Sequence, residues 1–128
     1  MIISFSFLGM IFQRSFSQGE DFQKYSKQII ISDTRLQFGE SKCGHTVAIL
    51  GQMRNESPVD WKEIHFQVEF RDVGGNLIDT GQELKYSYYL PTREEAAFKI
   101  SFAREFPTEL YASHSIKIIE AKDGKQRF

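Results

Sequence analysis

Cys43-Gly44-His45 sets a thiol and an imidazole two residues apart, and His65 and His114 complete the histidines of the chain. These four side chains are its natural transition-metal donors. Zinc sites draw their ligands from tighter paired spacings, and one cysteine supplies neither a cysteine-based zinc site nor an internal disulfide. No metal and no cofactor are expected. Ser113-His114-Ser115 puts hydroxyls beside a base, but neighbours on a strand point to opposite faces and share a proton poorly. No GxSxG nucleophile elbow is present. Glu94 and Glu95 fall in a turn, while Glu63 and Glu69 fall on a wet strand face, so no carboxylate pair is marked as buried and shifted for acid–base work. Gly74-Gly75 lacks the length and the lysine of a phosphate loop. An enzyme is therefore not expected.

Tyr86, Tyr88 and Tyr89, close to Pro91, form the one cluster that suggests a ligand surface. Tyrosines at a strand end stack on sugars or peptides, and aromatic residues are enriched in recognition surfaces. Aromatic strand residues more often fill a pleated face, so packing competes with binding as the reason for this cluster. Tyr111, just ahead of the last apolar segment, suits a loop tethered by its hydroxyl, as in the tyrosine corner of other sandwiches.

The elements that must carry these residues read as strands. Ile64, Phe66, Val68 and Phe70 alternate with Glu63, His65, Gln67, Glu69 and Arg71, which makes Trp61 to Asp72 a strand with one dry face. Burying those four apolar side chains contributes about 6–12 kcal/mol, so this strand is expected to anchor the core. Phe98, Ile100 and Phe102 repeat the pattern over Ala97 to Ala103, and Val47, Ile49, Gly51 and Met53 share a face in Thr46 to Asn55. Further strands are expected over Lys27 to Phe38, Leu77 to Tyr89 and Ser113 to Lys122. Turn chemistry separates them at Asn55-Glu56-Ser57-Pro58, at Asp72-Val73-Gly74-Gly75-Asn76 and from Pro91 to Glu95. A single helical turn is expected within Phe106 to Tyr111. Six or seven short strands with no long amphipathic helix between them imply an all-β, immunoglobulin-like antiparallel sandwich.

A chain of 128 residues suits one domain, and its 41% hydrophobic and 26% charged content is that of a folded globular protein. Its 16 basic and 17 acidic residues nearly cancel, so no nucleic acid partner is expected. Met1 to Phe12 is almost wholly apolar and gives way sharply to a polar stretch at Arg14. The run is too short to span a membrane and fits the apolar region of a signal peptide, with Ser15 and Ser17 ahead of a cleavage site, although no basic residue precedes it. A truncated membrane anchor and an N-terminal strand packed on the core are its other readings. The expected organisation is thus an apolar leader and linker over 1–26, a sandwich over 27–123 and a tail over 124–128, located outside the cytoplasm.

Most of residues 28–123 resemble the FxLYD domain, a small β-sandwich module of exported bacterial and archaeal proteins. The resemblance rests on Gly51 and Asn55 within Leu50 to Ser57, on Glu69 to Asp72 leading into Gly75 to Thr80, on Pro91 before Ala97 to Ile100, and on Tyr111 to His114 with Ala121 to Asp123. At the naming motif Val68, Glu69, Phe70, Arg71 and Asp72 keep the aspartate and replace the phenylalanine, leucine and tyrosine. Such a resemblance implies a non-catalytic accessory module. The expected activity is protein binding through loops or an exposed strand edge, with a sugar- or peptide-binding tyrosine surface as the alternative.

Overall fold

The computed structural model describes residues 19–42 and 44–125. The apolar leader, Cys43 and the last three residues of the tail lie outside the described residues. Among the described residues are six strands: β1 (Ile29–Ser41), β2 (Gly44–Asn55), β3 (Trp61–Arg71), β4 (Leu77–Leu90), β5 (Glu95–Ala103) and β6 (Ser113–Asp123). They form two three-stranded antiparallel sheets, ordered β1-β2-β5 and β4-β3-β6. The chain is a β-sandwich, with the short turn expected near residue 108 present as a 3-10 helix, Thr108–Leu110.

Alternation decides which face of each sheet is dry. Ile64, Phe66, Val68 and Phe70 of β3 meet Val47, Ile49 and Met53 of β2, with Phe98 and Ile100 of β5, in one buried cluster. Phe66 lies 5.0 Å from Phe98, ring centroid to ring centroid, so aromatic contacts tie the two sheets together. Gly51 is required here by close approach, since a Cβ on it would stand 2.7 Å from the Phe98 ring.

Two features lengthen the unit relative to expectation. β1 runs on through Phe38 and Gly39 to Ser41, because those residues keep pairing with Val47, Thr46 and Gly44 of β2. Residues 20–25, within the stretch expected to be leader and linker, also pack on the sandwich: Phe22 is buried against Trp61 at 5.1 Å, edge to face. Asp21 caps the short turn Phe22–Lys24 by accepting from the Gln23 amide, and the Glu20 amide donates to Asp123 at the end of β6. Phe22, Trp61 and Ala121, flanked by Tyr25 and Val59, make a second apolar cluster closing the end of the sandwich where β3 begins.

Bulges reshape the sheets. Asp33, at φ 54°, sits where β1 slips against β2 between Ser32 and Arg35. In β3, Glu63, at φ 51°, faces the slip that sets Lys62 opposite Tyr89 but Ile64 opposite Lys85. β6 slips at the same level, between Ile118 and Glu120. Bulges bend and twist a strand and change which side chains face inward beyond them.

Candidate functional site

The candidate chemical residues fall in three places. His45 is on the hairpin end of β2, exposed, with Nδ1 3.4 Å from Glu40. His65 stands on the outer face of β3, between Leu84 and Glu120 in the ladders. His114 faces the gap between the sheets, where its Nε2 lies 3.0 Å from Thr34 Oγ1 of β1. Ser113 and Ser115 are exposed on either side of it. Among the described residues no three histidine, cysteine or acidic side chains are grouped to hold a metal ion.

Half-burial between β1 and β6 pushes the His114 imidazole below its ordinary pKa of 6.5. Above that pH both folded and unfolded chains hold it neutral; as pH falls through about 6.5 the unfolded chain takes up a proton that the folded one resists. Stability is therefore expected to decline on acidification through that window, with the loss complete below the depressed folded value. Urea midpoints measured across pH 8 to 5 should fall less steeply in His114→Gln than in the wild type.

The tyrosine cluster divides. Tyr86 is 72% and Tyr89 52% exposed, whereas Tyr88 is turned into the sandwich. The Tyr88 ring packs edge to face on Phe66 at 6.1 Å. Its hydroxyl donates to the Lys99 carbonyl at 3.0 Å and accepts the Lys99 amide at 3.1 Å, so it occupies both groups on the outer edge of β5. The bulge explains the division: Lys85 pairs with buried Ile64 and Leu90 with buried Trp61, and five residues cannot join two inward positions without a slip. Tyr89 consequently leans outward, with its phenol pushed up by partial burial and by the Asp60 carboxylate beside it. Tyr88→Phe is expected to cost about 1 kcal/mol in chemical denaturation, since one hydroxyl serves two backbone groups.

The densest polar arrangement centres on Asn55, which the sequence marks only as part of a turn and a family motif. Its side chain is fully buried. Asn55 Nδ2 donates to the carbonyls of Val59 at 2.7 Å and Leu90 at 3.0 Å, while Oδ1 accepts from the Ser57 amide at 2.9 Å and hydroxyl at 2.6 Å. Ser57 Oγ in turn accepts from Trp61 Nε1 at 3.0 Å, and the Ser57 carbonyl accepts from the Thr92 hydroxyl. The backbone of Asn55 is held by Arg93 and Glu94. One amide thus joins the β2–β3 connection to the end of β4, and every one of its hydrogen-bonding sites is spent on the fold.

At the opposite end Tyr111 is buried, and its hydroxyl donates to Asp79 Oδ2 at 3.2 Å, which ties the β5–β6 connection to β4. Burial first, and then this carboxylate, raise the phenol pKa. Asp72 organises the β3–β4 hairpin by accepting the Gly74 and Asn76 amides at 3.0 and 2.9 Å, and the Asn76 amide is the main cause of its lowered pKa. Gly75, at φ 83°, completes that turn in a conformation side chains avoid.

The strand edges are treated unequally. β4 turns Glu83 and Lys85 inward at its rim, in register with Phe66 and Ile64, a device that discourages strand pairing. β5 is occupied at Lys99 by Tyr88. Along β6, Gln23 Nε2 donates to the Ile119 carbonyl at 2.7 Å, from the segment that lies over its lower half. Among the described residues β1 pairs with β2 on one side only. Between its lower half and β6 lies a cleft of 380 Å³, lined by Ile29, Ile31, Ile116 and Ile118 with Lys27 and Lys117.

No protein-family model and no curated protein matches the chain. Among solved structures it is similar to a DUF1425 family member from Shewanella sp. pv-4, at 14% identity over 73% of this chain and 78% of that one, with a TM-score of 0.46.

Proposed function

We propose that the chain is a non-catalytic interaction or spacer module of the cell envelope that binds protein through a strand edge or its loops. The observation that carries this reading is the unequal treatment of the edges. Natural sheets block edges that must stay monomeric, and here β4, β5 and β6 carry side-chain blocks, while among the described residues β1, bulged at Asp33, keeps the outer backbone row of Ile29 to Ser32 beside an apolar cleft. The resemblance of most of residues 28–123 to the FxLYD domain supports the same assignment, and two of the residues it rests on, Gly51 and Asn55, have packing reasons to be where they are. The apolar run Met1 to Phe12 supports a place outside the cytoplasm. Fractionation of cells carrying the tagged full chain tests both parts. Recovery with the envelope or exported fraction, together with one protein that co-purifies reciprocally, is the expected result; recovery in the cytoplasm without a reciprocal partner overturns the proposal.

A sugar- or peptide-binding surface is the second reading, favoured by the exposure of Tyr86 and Tyr89. Tyr88 does not serve it, since its ring and hydroxyl are committed to the core and to β5. Glycan-array binding that disappears in the Tyr86→Ala/Tyr89→Ala double variant, with an unchanged melting temperature, would establish it.

A further inference from the structure

We infer that the lower half of β1, Ile29 to Ser32, is the docking edge, and that its occupant is an extended peptide with alternating aliphatic side chains and flanking carboxylates. This rests on the strand-edge form of the function proposed above and deepens it. The cleft beside β1 is bounded at one end by the His114–Thr34 bridge and at the other by Ser26 and Lys27. Its floor is four half-buried isoleucines, Ile29, Ile31, Ile116 and Ile118, two from each sheet.

A strand added beside β1 would alternate its side chains, sending every second one into that cleft to cover the isoleucines. Its backbone would meet the amides and carbonyls that β1 turns away from β2. Charge selects the flanks. Lys27 and Lys117 are exposed at the rim, and none of the residues lining the cleft is acidic. An anionic acyl chain would satisfy the lysines and the isoleucines, but laid along an edge strand it would strip water from the backbone groups without replacing their hydrogen bonds. A peptide satisfies all three sets of contacts.

The test uses the full chain and two fluorescein-labelled nonapeptides that alternate isoleucine with threonine, one flanked by glutamates and the other by lysines. The glutamate-flanked peptide is expected to bind about tenfold more tightly, and the Lys27→Glu/Lys117→Glu variant to reverse that preference. Both lysines are exposed, so the variant keeps the fold. Hydrogen exchange is expected to slow at Ile29 to Ser32 on binding. Protection appearing along β4, β5 or β6 instead would overturn this edge while leaving a strand-binding module intact. Absence of saturable binding, or a preference untouched by charge reversal, overturns it outright. Displacement of the peptide by dodecanoate, without any amide protection in the dodecanoate complex, would assign the cleft to an anionic amphiphile instead.

Discussion

Asn55→Ala is expected to destabilise the domain by about 3 kcal/mol or more, among the largest effects available to a single substitution here. The substitution removes donors from the Val59 and Leu90 carbonyls and an acceptor from the Ser57 amide and hydroxyl, all at a site closed to water. Each buried group left without a partner costs about 1–3 kcal/mol, with partial relaxation keeping the sum below simple addition. Asn55→Asp is the sharper variant. It keeps the acceptor for Ser57 but offers no donor to the two carbonyls, and it buries a charge, so its folded pKa rises. Sign matters here. A carboxyl with a raised folded pKa favours folding only while protonated, so Asn55→Asp should recover stability as pH falls towards 4, the reverse of the trend set by His114 in the wild type. Urea unfolding at pH 7 and pH 4.5 checks both statements.

Trp61→Ala is expected to cost about 3–5 kcal/mol, the usual range for removing a fully buried indole. The ring is the surface on which Phe22 and Tyr25 sit, at centroid distances of 5.1 and 5.9 Å. Its loss should therefore free the first described segment as well as open a cavity. Limited proteolysis gives a readout that stability alone does not. Cleavage after Lys24 or Lys27 is expected to accelerate in Trp61→Ala under conditions where the strands stay intact. In Val68→Ala, whose cavity lies in the other cluster, those two sites should stay protected. Trp61→Phe should fall between wild type and alanine, since it keeps most of the contact and loses only the donor to Ser57.

Both positions show how unevenly sequence reports structure. The dry face of β3 is legible because alternation is a property of consecutive residues, and Ile64, Phe66, Val68 and Phe70 are all buried where that pattern puts them. Asn55 is not legible in the same way. Its partners are Val59, four positions on, and Leu90, which is far along the chain, so its role exists only once β2, β3 and β4 have met. Phe22 hides for a different reason. It stands in a polar stretch with Tyr25 as its one aromatic neighbour, without the alternation that announces burial, and its local signal is Asp21 capping the turn that carries it. The division of the tyrosines is not legible either, because a bulge between Lys85 and Leu90 changes the count of inward positions, and bulges leave almost no mark on composition.

The chemical residues with which the sequence begins its case end in different parts of the molecule: His45 at a hairpin, His65 on an outer face and His114 between two sheets. Residue types and alternation are local, and they sufficed for the all-β class, for six strands to within three residues of their ends, and for most of the core. Pairing partners, bulges and edges are properties of pairs of strands distant in sequence. Only the tertiary structure decided that Tyr88 guards β5, that Asn55 and Trp61 close one end, and that among the described strands β1 pairs on one side alone, because each depends on which strand lies beside or across from it.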